Sequence, residues 1–192
     1  KVKIIKIGKP KIIIDELNKI IDVEIYDKKQ KLIIIDSDLS YWTIKIKGPI
    51  TKGLEINESR FDERLLTGML TIKNSSLKNI NIEIKNGLLE DSLNIIGSKG
   101  SINKIDISNS FQDAIDFDFS NLYVNEINIL NSGNDCLDVS SGIYVINTLK
   151  ANNCIDKGIS VGEKSHVRVM NIDLIKSSLA FASFTSARAI SD

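Results

Sequence analysis

The chain has 192 residues, with 25 basic and 25 acidic side chains and a formal net charge of zero. That length supports one domain with a substantial core, and the balanced, dispersed charge leaves no electrostatic footprint for nucleic acid. No apolar run is long enough for a helical membrane span, which excludes that class.

Residues 1–60 carry apolar runs without a clean repeat: Ile12-Ile13-Ile14, Leu32-Ile33-Ile34-Ile35 and Trp42 to Ile46. Lys1 opens directly into strand-like sequence, and no signal peptide is read in the chain as given. From Pro10 to Ile21 a short amphipathic helix is one reading, with Ile13, Leu17, Ile20 and Ile21 on one face. The three consecutive isoleucines favour a strand instead. Either suits a cap, because the open end of a solenoid exposes unpaired backbone. Lys47-Gly48-Pro49 and Thr51-Lys52-Gly53 read as turns. The division expected is a cap with irregular first coils over 1–60 and regular coils over 61–192. Register starts near Leu70-Thr71-Ile72.

From Ile80 onward the chain repeats itself with a period of about 22, inside the range of solenoid repeats. Ile82 to Asn86, Ile105 to Asn109, Ile127 to Asn131, Leu149 to Asn153 and Ile172 to Lys176 are successive copies. Each of the first four is followed by a second alternating segment: Leu93 to Ile95, Ile115 to Phe117, Leu137 to Val139 and Ile159 to Val161. A third column, Ile102, Val124, Ile146 and Val169, precedes the motif in the later copies. Three short strands per period, with no room for a helix, describe a coil of a right-handed parallel β-helix. About eight coils at roughly 4.8 Å would make a rod of about 40 Å. A leucine-rich repeat shares the period, but its second segment would be helical and here it is β-branched. The expected core includes Ile105, Ile107, Ile115, Phe117, Phe119, Ile127, Ile129, Leu137, Val139, Ile159 and Val161. The repeat is lost from Phe181 to Asp192, which reads as a frayed, capping or truncated end.

Within this frame the Asn column, Asn86, Asn109, Asn131 and Asn153, reads as structural: Asn tolerates the left-handed turn conformation and its amide can bond the next copy. Gly97 to Gly100 is a turn and lacks the strand–loop–helix context of a phosphate loop. Cys136 and Cys154 are expected to be two buried thiols. The lone histidine, His166, and Glu163 are expected at the surface.

Chemistry concentrates on a column of acids. Asp113 and Asp116 share one coil, Asp135 and Asp138 lie one period on, and Lys157 and Ser160 a further period on, with Asp91 preceding them. Strand alternation sends Asp116, Asp118 and Asp138 outward. Stacked carboxylates repel, so a raised pKa, a cation or Lys157 should compensate. Asp113, Asp135 and Asp138 are the candidate ligands for Ca²⁺. Asp113, Asp135 and Lys157 are the candidate catalytic set, expected as one outward cluster, with Asp116, Asp138 and Ser160 beside it for substrate.

Three segments carry a resemblance. Asn109-Ser-Phe-Gln-Asp113, Gly133-Asn134-Asp135-Cys136 and Asp156-Lys157-Gly158-Ile-Ser-Val-Gly162 resemble, in order and spacing, motifs of the polygalacturonase family of pectin-lyase-like β-helix proteins. The resemblance covers roughly positions 105–165 and nothing before position 80 adds to it. It implies that Asp113 and Asp135 occupy the positions of water-activating aspartates. Asn134 stands where the family has its general acid, and Lys157 where it has a histidine. An amide cannot protonate a leaving oxygen, so the resemblance implies the framework without an inverting hydrolase. Two functions remain from the sequence. One is a bacterial surface or secreted β-helix that binds or scaffolds polysaccharide. The other is a cation-assisted lyase or epimerase with Lys157 as base.

Overall fold

The computed structural model describes residues 1–50, 65–183 and 188–191. It is a β-solenoid of about seven turns, in stacked coils of about 23 residues and with no helix among the described residues. The first strands are β1 (Ile4–Ile7), β2 (Lys11–Asp15), β3 (Ile20–Glu24), β4 (Lys31–Ile35), β5 (Asp38–Ser40) and β6 (Thr43–Lys47). Then come β7 (Gly68–Lys73), β8 (Ser76–Lys85), β9 (Asp91–Ile96), β10 (Lys99–Ser110), β11 (Asp113–Asp118) and β12 (Asn121–Ser132). The last are β13 (Leu137–Ser140), β14 (Gly142–Val161), β15 (Ser165–Ser183) and β16 (Arg188–Ser191).

The coils stack by parallel pairing on three faces. On the first face β4, β7, β9, β11, β13 and the end of β14 succeed one another. The starts of β8, β10, β12, β14 and β15 build the second face, and their later halves, with β3 and β6, the third. Alternating Ile, Val and Leu form these strands because their inward positions fill one continuous core while the backbone pairs between coils. Ile105, Ile127, Ile115, Phe117, Leu137, Val139, Ile159 and Val161 are fully buried, and Ile107 and Ile129 nearly so. Two antiparallel pairs close the N-terminal end: β1 on β4, and the β2–β3 hairpin. The isoleucine run at Ile12–Ile14 is therefore strand rather than helix.

Two side-chain ladders shape the corners. Asn86, Asn109, Asn131 and Asn153 each have positive φ. The amides of Asn109, Asn131 and Asn153 donate to the Oδ1 of the preceding copy, at 3.1, 2.9 and 3.0 Å, and that of Asn86 donates to the Gly48 carbonyl at 3.2 Å. At the corner between the first and second faces the residue of positive φ is Asp36, Asn74, Gly97, Phe119 or Ser141. In the first four of these coils a buried serine follows it. The Ser37, Ser75 and Ser98 amides donate to the Oγ of Ser75, Ser98 and Ser120, at 3.2, 3.1 and 3.0 Å. The next coil carries Gly142 there. Tyr144, fully buried, fills the place: its hydroxyl accepts from the Ser120 amide at 3.3 Å and lies 3.0 Å from the Phe117 and Ser140 carbonyls.

Several expectations need correction. Cys136 and Cys154 are joined in a disulfide rather than free, because consecutive coils bring them to one corner: Ser132 lies opposite Cys154 in register, and Cys136 follows Ser132 around the turn. Phe119 is exposed, because the left-handed corner residue turns it out of the inward set. Among the described residues the coils number about seven, against the eight expected. Pairing does not stop at Phe181, since β15 runs to Ser183 and β16 pairs with it one coil on. The Thr51–Gly53 turn and the boundary at residue 60 lie outside the described residues.

Candidate functional site

The first face carries the acids. Asp91, Asp113 and Asp135 sit where chain enters it, on successive coils. All three are buried, at 2, 5 and 3 % exposure, so the expectation of an outward Asp113–Asp135 pair is corrected. For Asp113 and Asp135 the reason lies in their partners. Asp113 Oδ1 accepts from the Asp135 amide at 2.8 Å and from Asn134 Nδ2 at 2.7 Å. Asp135 Oδ1 in turn accepts from the Lys157 amide at 3.0 Å. Each carboxylate thus caps the backbone of the next coil, and a buried charge needs such bonds.

Asp113, Asp135 and Lys157 do come together across three consecutive coils. Lys157 Nζ lies 3.1 Å from both Asp135 oxygens and pairs also with Asp156. The hydrogen bond to Asp156, with Asp135 adding to it against partial burial, raises the Lys157 pKa further above the ordinary lysine value. This side chain is held as a cation, which is the opposite of what a base requires.

Beside this ladder runs a second column in register: Thr71, Asn94, Asp116, Asp138 and Ser160, on β7, β9, β11, β13 and β14; Thr71, Asn94 and Ser160 are buried and the two aspartates half-buried. Asp118 lies beside it, opposite Ser140. Asn94 Nδ2 bridges to Asp116 Oδ2 at 3.3 Å and Asp118 Oδ2 at 3.2 Å. Desolvation, with the charges of Asp91, Asp118, Asp138 and Asp113 adding, pushes Asp116 up to about 10. Desolvation pushes Asp113 up to about 6 against its two hydrogen bonds, and it raises Asp118 and Asp138 as well. At neutral pH Asp116 is therefore a neutral acid that can donate as well as accept. Carboxyl groups this close cannot all ionise.

For the candidate Ca²⁺ ligands, Asp113 Oδ1 and both Asp135 oxygens already face N–H donors. Among the described residues no group of three or more His, Cys, Asp or Glu is arranged to hold a metal ion. Sequence reasoning did not pick out Thr71 and Asn94 as site residues: neither carries a charge, and Thr71 also falls before the clear repeat. The steps from Thr71 to Asn94 and from Asn94 to Asp116 each match one period, and that is the signal that could have found them. A separate groove of about 560 Å³ runs over the third face and includes Glu83, Asp106, Asn128, Lys150 and Asp173. Its charges are partly neutralised, Glu83 by Lys85 within the groove and Asp106 by the neighbouring Lys104.

No protein-family model, curated protein or solved structure matches the chain.

Proposed function

We propose that the protein binds polysaccharide along the outer surface of its first face and acts as a binding or scaffold module rather than a hydrolase. The observation that carries this reading is the register of the half-buried Asp116 and Asp138 on successive strands, flanked in the same column by the buried Asn94 and Ser160. Strands about 4.8 Å apart repeat the same polar position along the rod, which suits a chain of repeating sugar units. The column offers acceptors and the neutral donor Asp116. The exposed ring of Phe119 follows Asp118 at the corner and provides an apolar platform for a sugar face. So many carboxyls favour a glycan rich in hydroxyl donors over a polyuronate, whose own charges they would repel.

The pectin-lyase-like resemblance agrees with this class of ligand. Asn134, in the place of that family's general acid, donates to Asp113 and so has a structural task. The lyase or epimerase alternative needs Lys157 as base, and its pairing with Asp135 and Asp156 weighs against that role. A surface or secreted location in a bacterium is part of the same proposal. The Cys136–Cys154 disulfide supports it, since such bonds persist in oxidising compartments.

Affinity electrophoresis through gels containing neutral or acidic polysaccharides tests the reading. A neutral glycan should retard the protein, with retardation weakened in Asp138→Ala and no new reducing ends or unsaturated products. Release of products, or equal migration in every gel, would overturn it.

A further inference from the structure

Among the described residues, three buried side-chain oxygens lack a hydrogen-bonding partner: Thr71 Oγ1, Asp91 Oδ2 and Asn94 Oδ1. Their residues are 0, 2 and 1 % exposed. An unpaired buried oxygen is costly, and more so when it belongs to a charged group, so three on adjacent strands call for an explanation. They belong to neighbouring strands. Thr71 on β7 lies opposite Asn94 on β9, and Asp91 on β9 lies opposite Gly68 on β7.

The amide of Asn94 is oriented by its donor end. Nδ2 faces β11, where it reaches Asp116 and Asp118, and this leaves Oδ1 as the unpaired end. Gly68 keeps the neighbouring oxygens uncovered: the first carbon of any side chain there would lie 2.7 Å from the Leu70 carbonyl oxygen and 2.8 Å from Thr71 Oγ1. The arrangement combines a hydroxyl, a carboxylate and an amide oxygen beside a backbone carbonyl. All are hard oxygen donors, the set that small hard cations select.

We infer that Thr71, Asp91 and Asn94 form a binding site for one small hard cation, of the Na⁺ or Ca²⁺ kind, between β7 and β9. The cation site does not rest on the glycan-binding reading, which concerns Asp116 and Asp138 farther along the same column. It differs from the Asp113, Asp135 and Asp138 set, whose oxygens largely face N–H donors. It contains a single carboxylate ligand, Asp91, consistent with the lack of any ready-made cage of three or more acidic, His or Cys side chains among the described residues. Its electrostatics agree: burial first, then the nearby Asp113, Glu90 and Asp118, pushes Asp91 up to about 8 against its hydrogen bond with Thr67. A cation at Oδ2 would supply the missing opposite charge. A buried water could satisfy these oxygens but would bring no charge.

The test uses the whole protein, dialysed against chelator into a Tris buffer free of Na⁺ and Ca²⁺ at pH 9. CaCl₂ and NaCl are titrated separately, with tetramethylammonium chloride as an ionic-strength control. Calorimetry and thermal melting read the result. One equivalent of Ca²⁺ or Na⁺ should bind and raise Tm, and the two titrations tell which ion is preferred. Affinity should fall by about 10- to 100-fold or more in Thr71→Val and in Asp91→Asn, since even indirect partners of a metal ligand are worth that much. Thr71→Ser, which keeps the oxygen, should bind as the native protein does. No saturable binding of either ion would overturn the inference. So would binding that survives unchanged in folded Thr71→Val, which would place the ion elsewhere.

Discussion

Replacing Tyr144 with Phe removes one oxygen from a sealed corner and leaves the packing in place. The ring is fully buried and stacks on Phe117 with centroids 5.8 Å apart, and phenylalanine reproduces that contact. The oxygen accepts the Ser120 amide and lies 3.0 Å from two carbonyls. Burial raises the Tyr144 pKa further above the ordinary tyrosine value, so the group stays a protonated donor. After substitution the Ser120 amide loses this acceptor and the carbonyls lose their shared donor. Leaving one such group unpaired costs about 1–3 kcal/mol, so the loss should be about 2 kcal/mol. Urea titration of native and variant protein, followed by far-UV circular dichroism, measures it as a lower midpoint at unchanged slope. Ser75→Ala, which deletes the acceptor of the Ser37 amide in the same ladder, should behave alike. A loss below about 0.5 kcal/mol in both variants would refute the idea that the hydroxyl ladder sustains this corner, since surface changes already reach that size.

Other expectations concern the core, the disulfide and pH. Ile129→Asp places a charge at a position 4 % exposed, and should cost at least about 3–5 kcal/mol, as an uncompensated buried charge does; soluble expression and melting check this. The disulfide spans 18 positions of chain, so chain entropy assigns it about 3 kcal/mol. Cys136→Ala/Cys154→Ala should melt at lower temperature, and native protein should show no titratable thiol. Folded pKa values raised above those of the unfolded chain mean that the folded state holds protons longer. Without a bound cation, stability contributed by Asp91 and Asp113 should be full below about pH 4. It should decline as pH rises through about 6 for Asp113 and about 8 for Asp91. Melting temperature measured in chelated buffer should follow that fall, and Asp91→Asn should flatten its upper part.

The fold was legible because apolar alternation and a fixed period act together. Once Ile105, Ile127 and Leu149 recur at one interval, only stacked coils place them in one column, and the register is as expected. The Asn ladder was legible for the same reason. The corners were less so. Phe119 is apolar and falls in the alternating phase of Ile115 and Phe117, yet a single left-handed residue turns it outward. The serine ladder was overlooked although Ser75, Ser98 and Ser120 recur once per coil. Serine has no pattern of its own in a polar turn. The disulfide is nearly one coil in length, but a separation of 18 breaks the period, because its two ends lie on opposite sides of one corner. In the acidic cluster, spacing correctly brought Asp113, Asp135 and Lys157 together. Their direction was missed, because a side chain at the entry to a strand answers to the unpaired amides of the next coil, a demand that period-two alternation does not encode.

Hydrogen-exchange mass spectrometry, with and without the polysaccharide that most retards the protein, tests the binding surface most directly. The account predicts added protection in peptides containing Asp116 and Phe119 and in those containing Asp138, the accessible part of the first-face column and its corner ring. Protection confined instead to the third face, around Asp106, Asn128 and Lys150, would contradict it.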